Sequence, residues 1–176
     1  WYYLWQLLND ERLSLVFPSS ISSLAVASDS KTMAIGLGNG KVLLTDVETG
    51  NQIASFGNHQ VGIRCLAFSA DGQFLVTGDN SGIVKMWHIS ARRELFQIEA
   101  AHNKRIFAVT FAPDGRTFAT ASESNAKLWD AATGKEIVTF QGHEGWVRAV
   151  HFSRDGQTLF TGSNTKRCVF GRPLRA

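Results

Sequence analysis

The sequence predicts an all-β fold in which one small antiparallel sheet is copied about four times, and three observations predict it. The turn dipeptides Asp29-Ser30, Asp71-Gly72, Asp114-Gly115 and Asp155-Gly156 fall 42, 43 and 41 residues apart. Two further marks keep step with them. Asn58-His59, Ala101-His102 and Gly142-His143 open successive units, while Thr45-Asp46, Trp87-His88 and Trp129-Asp130 stand 42 residues apart near each unit's end. Lastly, the apolar runs inside a unit are short, rich in β-branched and aromatic residues, and broken by Gly, Asp or Asn, with no helical stripe to compete. A repeat of this period means one supersecondary unit whose copies hide their apolar faces against their neighbours.

The units run approximately over 18–57, 58–100, 101–141 and 142–165, the last incomplete, with 1–17 as the end of a preceding unit and 166–176 as a non-repeat tail. In one unit the pattern predicts strands at 105–111, 116–121, 126–130 and 135–140. They are joined by turns at Pro113-Asp114-Gly115, Glu123-Ser124-Asn125 and Ala132-Thr133-Gly134. Links this short make the four strands antiparallel neighbours. The first strands align as Ile21–Val26, Ile63–Phe68, Ile106–Phe111 and Val147–Phe152, and are mostly apolar on both faces. Such a strand needs cover on both sides, so each sheet is expected to lie face to face between the sheets before and after it. That is the architecture of a β-propeller. A two-sheet sandwich competes, but it does not require a 42-residue beat.

The ends break the pattern. Trp5–Leu15 can be laid on Thr45–Ser55, which would make the N-terminus the last two strands of a preceding blade. After Ser163 the fourth unit is expected to stop, two strands long, because Gly171 falls where Trp87 has its counterpart. The last dozen residues then read as a misread or truncated end. With at most about four blades, the expectation is an arc of a larger ring, the missing blades being supplied by the rest of a longer chain. A small closed ring, its fourth blade completed by the N-terminal pair, is the alternative.

The order His143, strand, Asp155-Gly156, strand in one unit, and His102, Asp114-Gly115, Lys127-Leu128-Trp129-Asp130 in another, resembles the WD40-repeat family of propellers over roughly residues 13–165. The resemblance implies that the unit's His, a Ser or Thr of the second strand, a turn Asp and the Trp of the third strand form a buried hydrogen-bonded set. His59, Thr77 and Trp87 fit those places, as do His102, Thr120 and Trp129, and His143 begins a further set. The turn Asp is replaced by Asn39, Ser81, Ser124 and Thr165, and the first unit lacks both His and Trp. A neutral acceptor would weaken the charge-assisted bond to His by about 1 kcal/mol per blade.

Composition narrows function. The chain of 176 residues is 44% hydrophobic and 19% charged, a globular balance. Its net charge of +3 is local: without Lys166, Arg167, Arg172 and Arg175, 14 basic residues face 15 acidic ones, which counts against a nucleic-acid partner. Trp1–Leu8 is apolar but too short for a membrane span and lacks the basic flank of a signal peptide. No residue marks the compartment; cytoplasm is the expectation. Cys65 and Cys168 lack the spacing of a zinc site, and Gly36-Leu37-Gly38-Asn39-Gly40 lies between strands with no helix to follow, so it is a turn and not a phosphate cradle. No metal or cofactor is expected.

The first strands contain no Asp or Glu, and His151, Arg64 and Arg148 are their only titratable groups besides Cys65. No catalytic constellation follows, so the chain is read as a non-enzyme. What remains is a surface. Asn103-Lys104-Arg105 and Glu144-Gly145-Trp146 enter the first strands on one rim, with Arg64, Phe107 and Arg148 at matching positions just beyond. Exposed aromatic and Arg side chains are the residues of binding hot spots, and the resemblance implies docking on that rim. The expectation is an interaction scaffold for other proteins or peptides, part of a larger regulatory or assembly protein. A nucleic-acid-associated module using the arginine rim and basic tail is the alternative, and packing of Trp146 on the neighbouring blade competes with exposure.

Overall fold

A computed structural model of the chain describes residues 14–57, 59–165 and 168–171. Among them every regular element is a strand, and the strands form four antiparallel sheets in chain order. The first holds β1 (Ile21–Val26), β2 (Thr32–Leu37), β3 (Val42–Asp46) and β4 (Gln52–Phe56). The second holds β5 (Ile63–Phe68), β6 (Phe74–Asp79), β7 (Val84–His88) and β8 (Arg93–Ile98). The third holds β9 (Ala108–Phe111), β10 (Thr117–Ala121), β11 (Ala126–Asp130) and β12 (Glu136–Phe140). The fourth holds β13 (Val147–Phe152), β14 (Leu159–Ser163) and β15 (Cys168–Gly171). The proposed N-terminal strands within Trp5–Leu15 fall almost wholly outside the described residues, as do Lys166, Arg167, Arg172 and Arg175 of the basic tail.

Turn chemistry draws each sheet. Between first and second strands Asp29, Asp71, Asp114 and Asp155 accept backbone N–H bonds through Oδ1 from the residue two further on, at 2.8 to 3.0 Å. The residue after each Asp has positive φ, which suits Gly72, Gly115 and Gly156 and is met by Ser30 in the first sheet.

Packing runs from sheet to sheet. Ala34, Val42, Leu44 and Phe56 of the first sheet meet Ile63, Leu66, Leu75 and Trp87 of the second. Cys65, Val76, Val84 and Met86 on the second sheet's other face meet Ile106, Phe111, Phe118 and Trp129. Ala119, Ala121, Ala126 and Leu128 then meet Val147, Val150 and Leu159. Neighbours along one strand, such as Leu75 and Val76, therefore serve different interfaces, as the two-residue period of a strand dictates. The first strands line the axis side by side, β1 against β5, β5 against β9 and β9 against β13. The four sheets form an open arc.

Three expectations are corrected. The strands buried on both faces are the second and third of the first three sheets, whereas β1 and much of β13 are exposed. A first strand has one edge on the axis, and among the described residues no further sheet stands beyond the first or the fourth. The third unit's first strand begins at Ala108, not 105, because the Ile106 N–H turns to the carbonyl of Asp79 in the preceding sheet, at 3.1 Å. The fourth sheet has a third strand, β15, paired to β14 through Phe160↔Phe170 and Gly162↔Cys168. Gly171 does occupy the register place of Trp87 and Trp129, opposite Leu159, and a Cβ there would run into the Phe140 ring.

Successive sheets are also tied backbone to backbone. His59 N–H donates to the Gly40 carbonyl at 3.3 Å and His102 N–H to that of Gly82 at 3.2 Å. Gly40 and Gly82 have φ of +84° and +92°, and a Cβ on either would meet the His carbonyl oxygen. Gly82→Ala is therefore expected to destabilise the fold by about 2 kcal/mol or more, read as a fall in the urea midpoint. Gly115→Ala, where a Cβ meets nothing within 4 Å, should cost only the positive-φ strain of about 1 kcal/mol.

Candidate functional site

Two constellations meet on the entry rim, where the chain enters each first strand and passes from second strand to third. One is buried and holds the sheets. The other is exposed and faces solvent.

The buried set is complete in the second sheet. The Trp87 Nε1–H donates to Thr77 Oγ1 at 3.0 Å, Thr77 Oγ1 lies 2.8 Å from His59 Nε2, and His59 Nδ1 lies 2.8 Å from Asp79 Oδ2. With the imidazole proton on Nδ1, every donor has an acceptor: Trp87 to Thr77, Thr77 to His59, His59 to Asp79. Asp79 Oδ1 takes three more bonds, from the N–H groups of Ser81 and Ile83 and from Ser81 Oγ, at 2.8 to 3.0 Å. Burial of Asp79 favours its neutral form, but the bonds from His59, Ile83 and Ser81 outweigh it and hold the carboxyl below the usual range.

The expectation that a neutral acceptor replaces the Asp in every unit is thus overturned here. The acid stands at the end of β6, two residues before Ser81, and its side chain reaches back to the same ring nitrogen. A signal was present: an acid directly after Thr77-Gly78 in a strand otherwise without charge, where burial demands a partner.

The third sheet shows the set without the acid. Trp129 Nε1–H donates to Thr120 at 2.8 Å, and Thr120 lies 2.7 Å from His102 Nε2. The counterpart of Asp79 is Ser122, whose hydroxyl donates to the Arg105 carbonyl at 2.8 Å. Asn125 lies beside the imidazole and favours its charged form, although its buried Oδ1 makes no bond of good geometry. Burial, reinforced by the Lys127 cation, wins and lowers His102 to a pKa of about 4. In the fourth sheet His143 Nε2 lies 2.8 Å from Thr161, with Gly171 in the place of Trp. In the first sheet Ile35, Leu37 and Leu43 form an apolar patch with Phe17 instead.

The exposed constellation is built by an irregularity. Residues 63 and 65 pair with Asp79 and Gly78, leaving Arg64 as an extra residue; Arg148 is left over in the same way between Val147↔Ser163 and Ala149↔Gly162. Phe107 is their equivalent, since its N–H and the pairing of Ala108 both address Ala121. Each is the extra residue of a β-bulge, which re-aims its side chain out of the alternation. Ser22 holds that place in the first sheet and bonds the carbonyls of Gly36 and Ile63.

Phe107 of the third sheet stacks on Trp146, which enters the fourth, with centroids 5.6 Å apart and planes inclined by 26°. The Arg148 guanidinium lies over both rings, 5.3 Å from Phe107 and 5.1 Å from Trp146. Trp146 is both packed on the neighbouring sheet and 40% exposed. Arg64 and Arg105 are exposed, and Lys104 pairs with Glu123 at 2.8 Å. Cys65 lies under the rim, its thiol pushed up to about 12 by burial, in keeping with an inert side chain.

Comparison with known proteins gives the same repeat. The family model described as WD domain, G-beta repeat matches residues 50–88, 93–130 and 134–170. An uncharacterized WD repeat-containing protein of Synechocystis sp. is 37% identical over 84% of this chain and 42% of its own length. The transcription factor unc-37 of Caenorhabditis elegans is 28% identical over 88% of this chain and 25% of its own length. A guanine nucleotide-binding protein subunit beta of Schizosaccharomyces pombe is 32% identical over 50% of this chain and 29% of its own length. The chain thus spans less than half the length of these relatives.

Two outcomes follow from the buried sets. Asp79→Ser, which copies the third sheet, should lower unfolding free energy by about 2 kcal/mol, measured by urea denaturation at pH 7. His102 binds a proton more weakly folded than unfolded, so its contribution is intact above pH 6.5 and is lost as pH falls towards about 4. Stability should drop by up to about 3 kcal/mol across that window, and His102→Gln should remove that part of the slope. Asp79, also depressed, acts only lower, as pH falls below its ordinary 3.8.

Proposed function

Because the chain belongs to the WD40-repeat family, we propose that it is a non-catalytic interaction scaffold, a propeller segment of a larger regulatory or assembly protein, whose entry rim docks other proteins or peptides. One observation carries the reading: an exposed Trp and Arg meet a half-buried Phe across the boundary between two sheets. An exposed aromatic and arginine cluster on a rigid scaffold is what binding hot spots are made of. The inner strands below it carry no carboxylate, which supports recognition over catalysis. The relatives include a transcription factor and a G-protein subunit, and a regulatory setting is the one their names carry.

The test is capture by the wild-type chain against a Trp146→Ala/Arg148→Ala double variant, with circular dichroism to establish that both are folded. Proteins retained by the wild type should be lost from the variant. An unchanged set of captured proteins on a folded variant refutes the rim as the docking surface.

A further inference from the structure

The entry rim carries more cations than acids: Arg64, Lys104, Arg105 and Arg148 stand there with Glu123 and Glu144. Arg64, Arg105 and Arg148 are exposed, and among the described residues none of them forms an ion pair, whereas the lysines at 85, 104 and 127 each hold a glutamate. Arg64 and Arg148 stand at the same bulge position on innermost strands of different sheets, with Phe107 at that position between them. The neighbouring inner strands supply no carboxylate.

We propose that this surface receives an acidic peptide, with a glutamate or aspartate side chain seated on Arg148. The inference rests on the rim being the docking surface and names its ligand chemistry. Contact with both Phe107 and Trp146 restrains the guanidinium, and no hydrogen bond among the described residues uses its N–H groups. A restrained guanidinium with an unused N–H edge can chelate a carboxylate through two parallel bonds, with less side-chain entropy left to lose. Arg64 and Arg105 place further positive charge on the same rim for flanking acids.

A nucleic acid fits less well. The repeat body is close to neutral, with 14 basic residues against 15 acidic ones outside the tail, so it offers little net positive charge to a phosphate backbone.

The probes are an array of dodecapeptides carrying four glutamates in varied registers, the same peptides with glutamine in their place, and a labelled oligouridylate. The full chain should bind members of the glutamate set and not their glutamine counterparts. Arg148→Ala should weaken that binding about tenfold or more. Arg148→Lys keeps the charge but loses the planar fork, and should weaken it nearly as much, with the circular dichroism spectrum unchanged. Absence of binding to every glutamate peptide, equal binding of the glutamine set or of oligouridylate, or unaltered affinity in folded Arg148→Lys overturns the proposal. Each of these results leaves the capture experiment on the double variant to decide the scaffold reading by itself.

Discussion

Each small sheet has two apolar faces and no way to bury them alone. Leu75 and Val76 are adjacent, yet one packs on the first sheet and the other on the third. A four-stranded sheet in water would leave at least one such face wet, at roughly 25 cal/mol for each Å² of apolar area. Stability is thus held between sheets and is a sum of neighbour terms. The rest of the molecule accommodates this demand: short turns keep the strands in one sheet, and backbone bonds from His59 and His102 to glycines of the preceding sheet set how the sheets meet.

The polar set sits inside those interfaces, not apart from them. Trp87 stacks on Phe56 of the first sheet at 5.8 Å while its indole N–H feeds Thr77, so one side chain serves both apolar contact and hydrogen bonding. Where the set is complete, in the second sheet, the buried charge of Asp79 is met by four donors. Where it is partial, packing takes over. The third sheet keeps its indole stacked on Phe118 at 6.3 Å and leaves His102 neutral, and the first sheet dispenses with the polar set for Ile35, Leu37 and Leu43. Sheets of one architecture can therefore differ in which interaction secures them.

The division of the chain into units and strands was legible because its signals are local. An Asp followed by a residue tolerant of positive φ makes its turn wherever it occurs, and β12 at Glu136–Phe140 lies within one residue of its expected place. Burial was harder to read, since the first strands are as apolar as the second and third, and only the axis distinguishes them. Asp79 was missed because the pattern assigns a role to a sequence position, while a carboxylate can reach the same imidazole nitrogen from two residues away. β15 was missed for a related reason: Gly171 removes the mark by which a third strand is recognised without removing the capacity to pair. At the rim, residue types identified Trp146, Phe107 and Arg148, but their stacking could not be read from sequence, because it depends on an extra residue in the pairing of each first strand.

That extra residue separates two duties that usually conflict in a protein surface. Positions 64 and 148 answer to neither face of their sheets, and the side chains now there are exposed. Their identity can drift with little penalty in folding, as the presence of Ser, Arg, Phe and Arg at the four equivalent places illustrates. A single residue per blade can thus change the character of the surface, while the architecture beneath is kept intact.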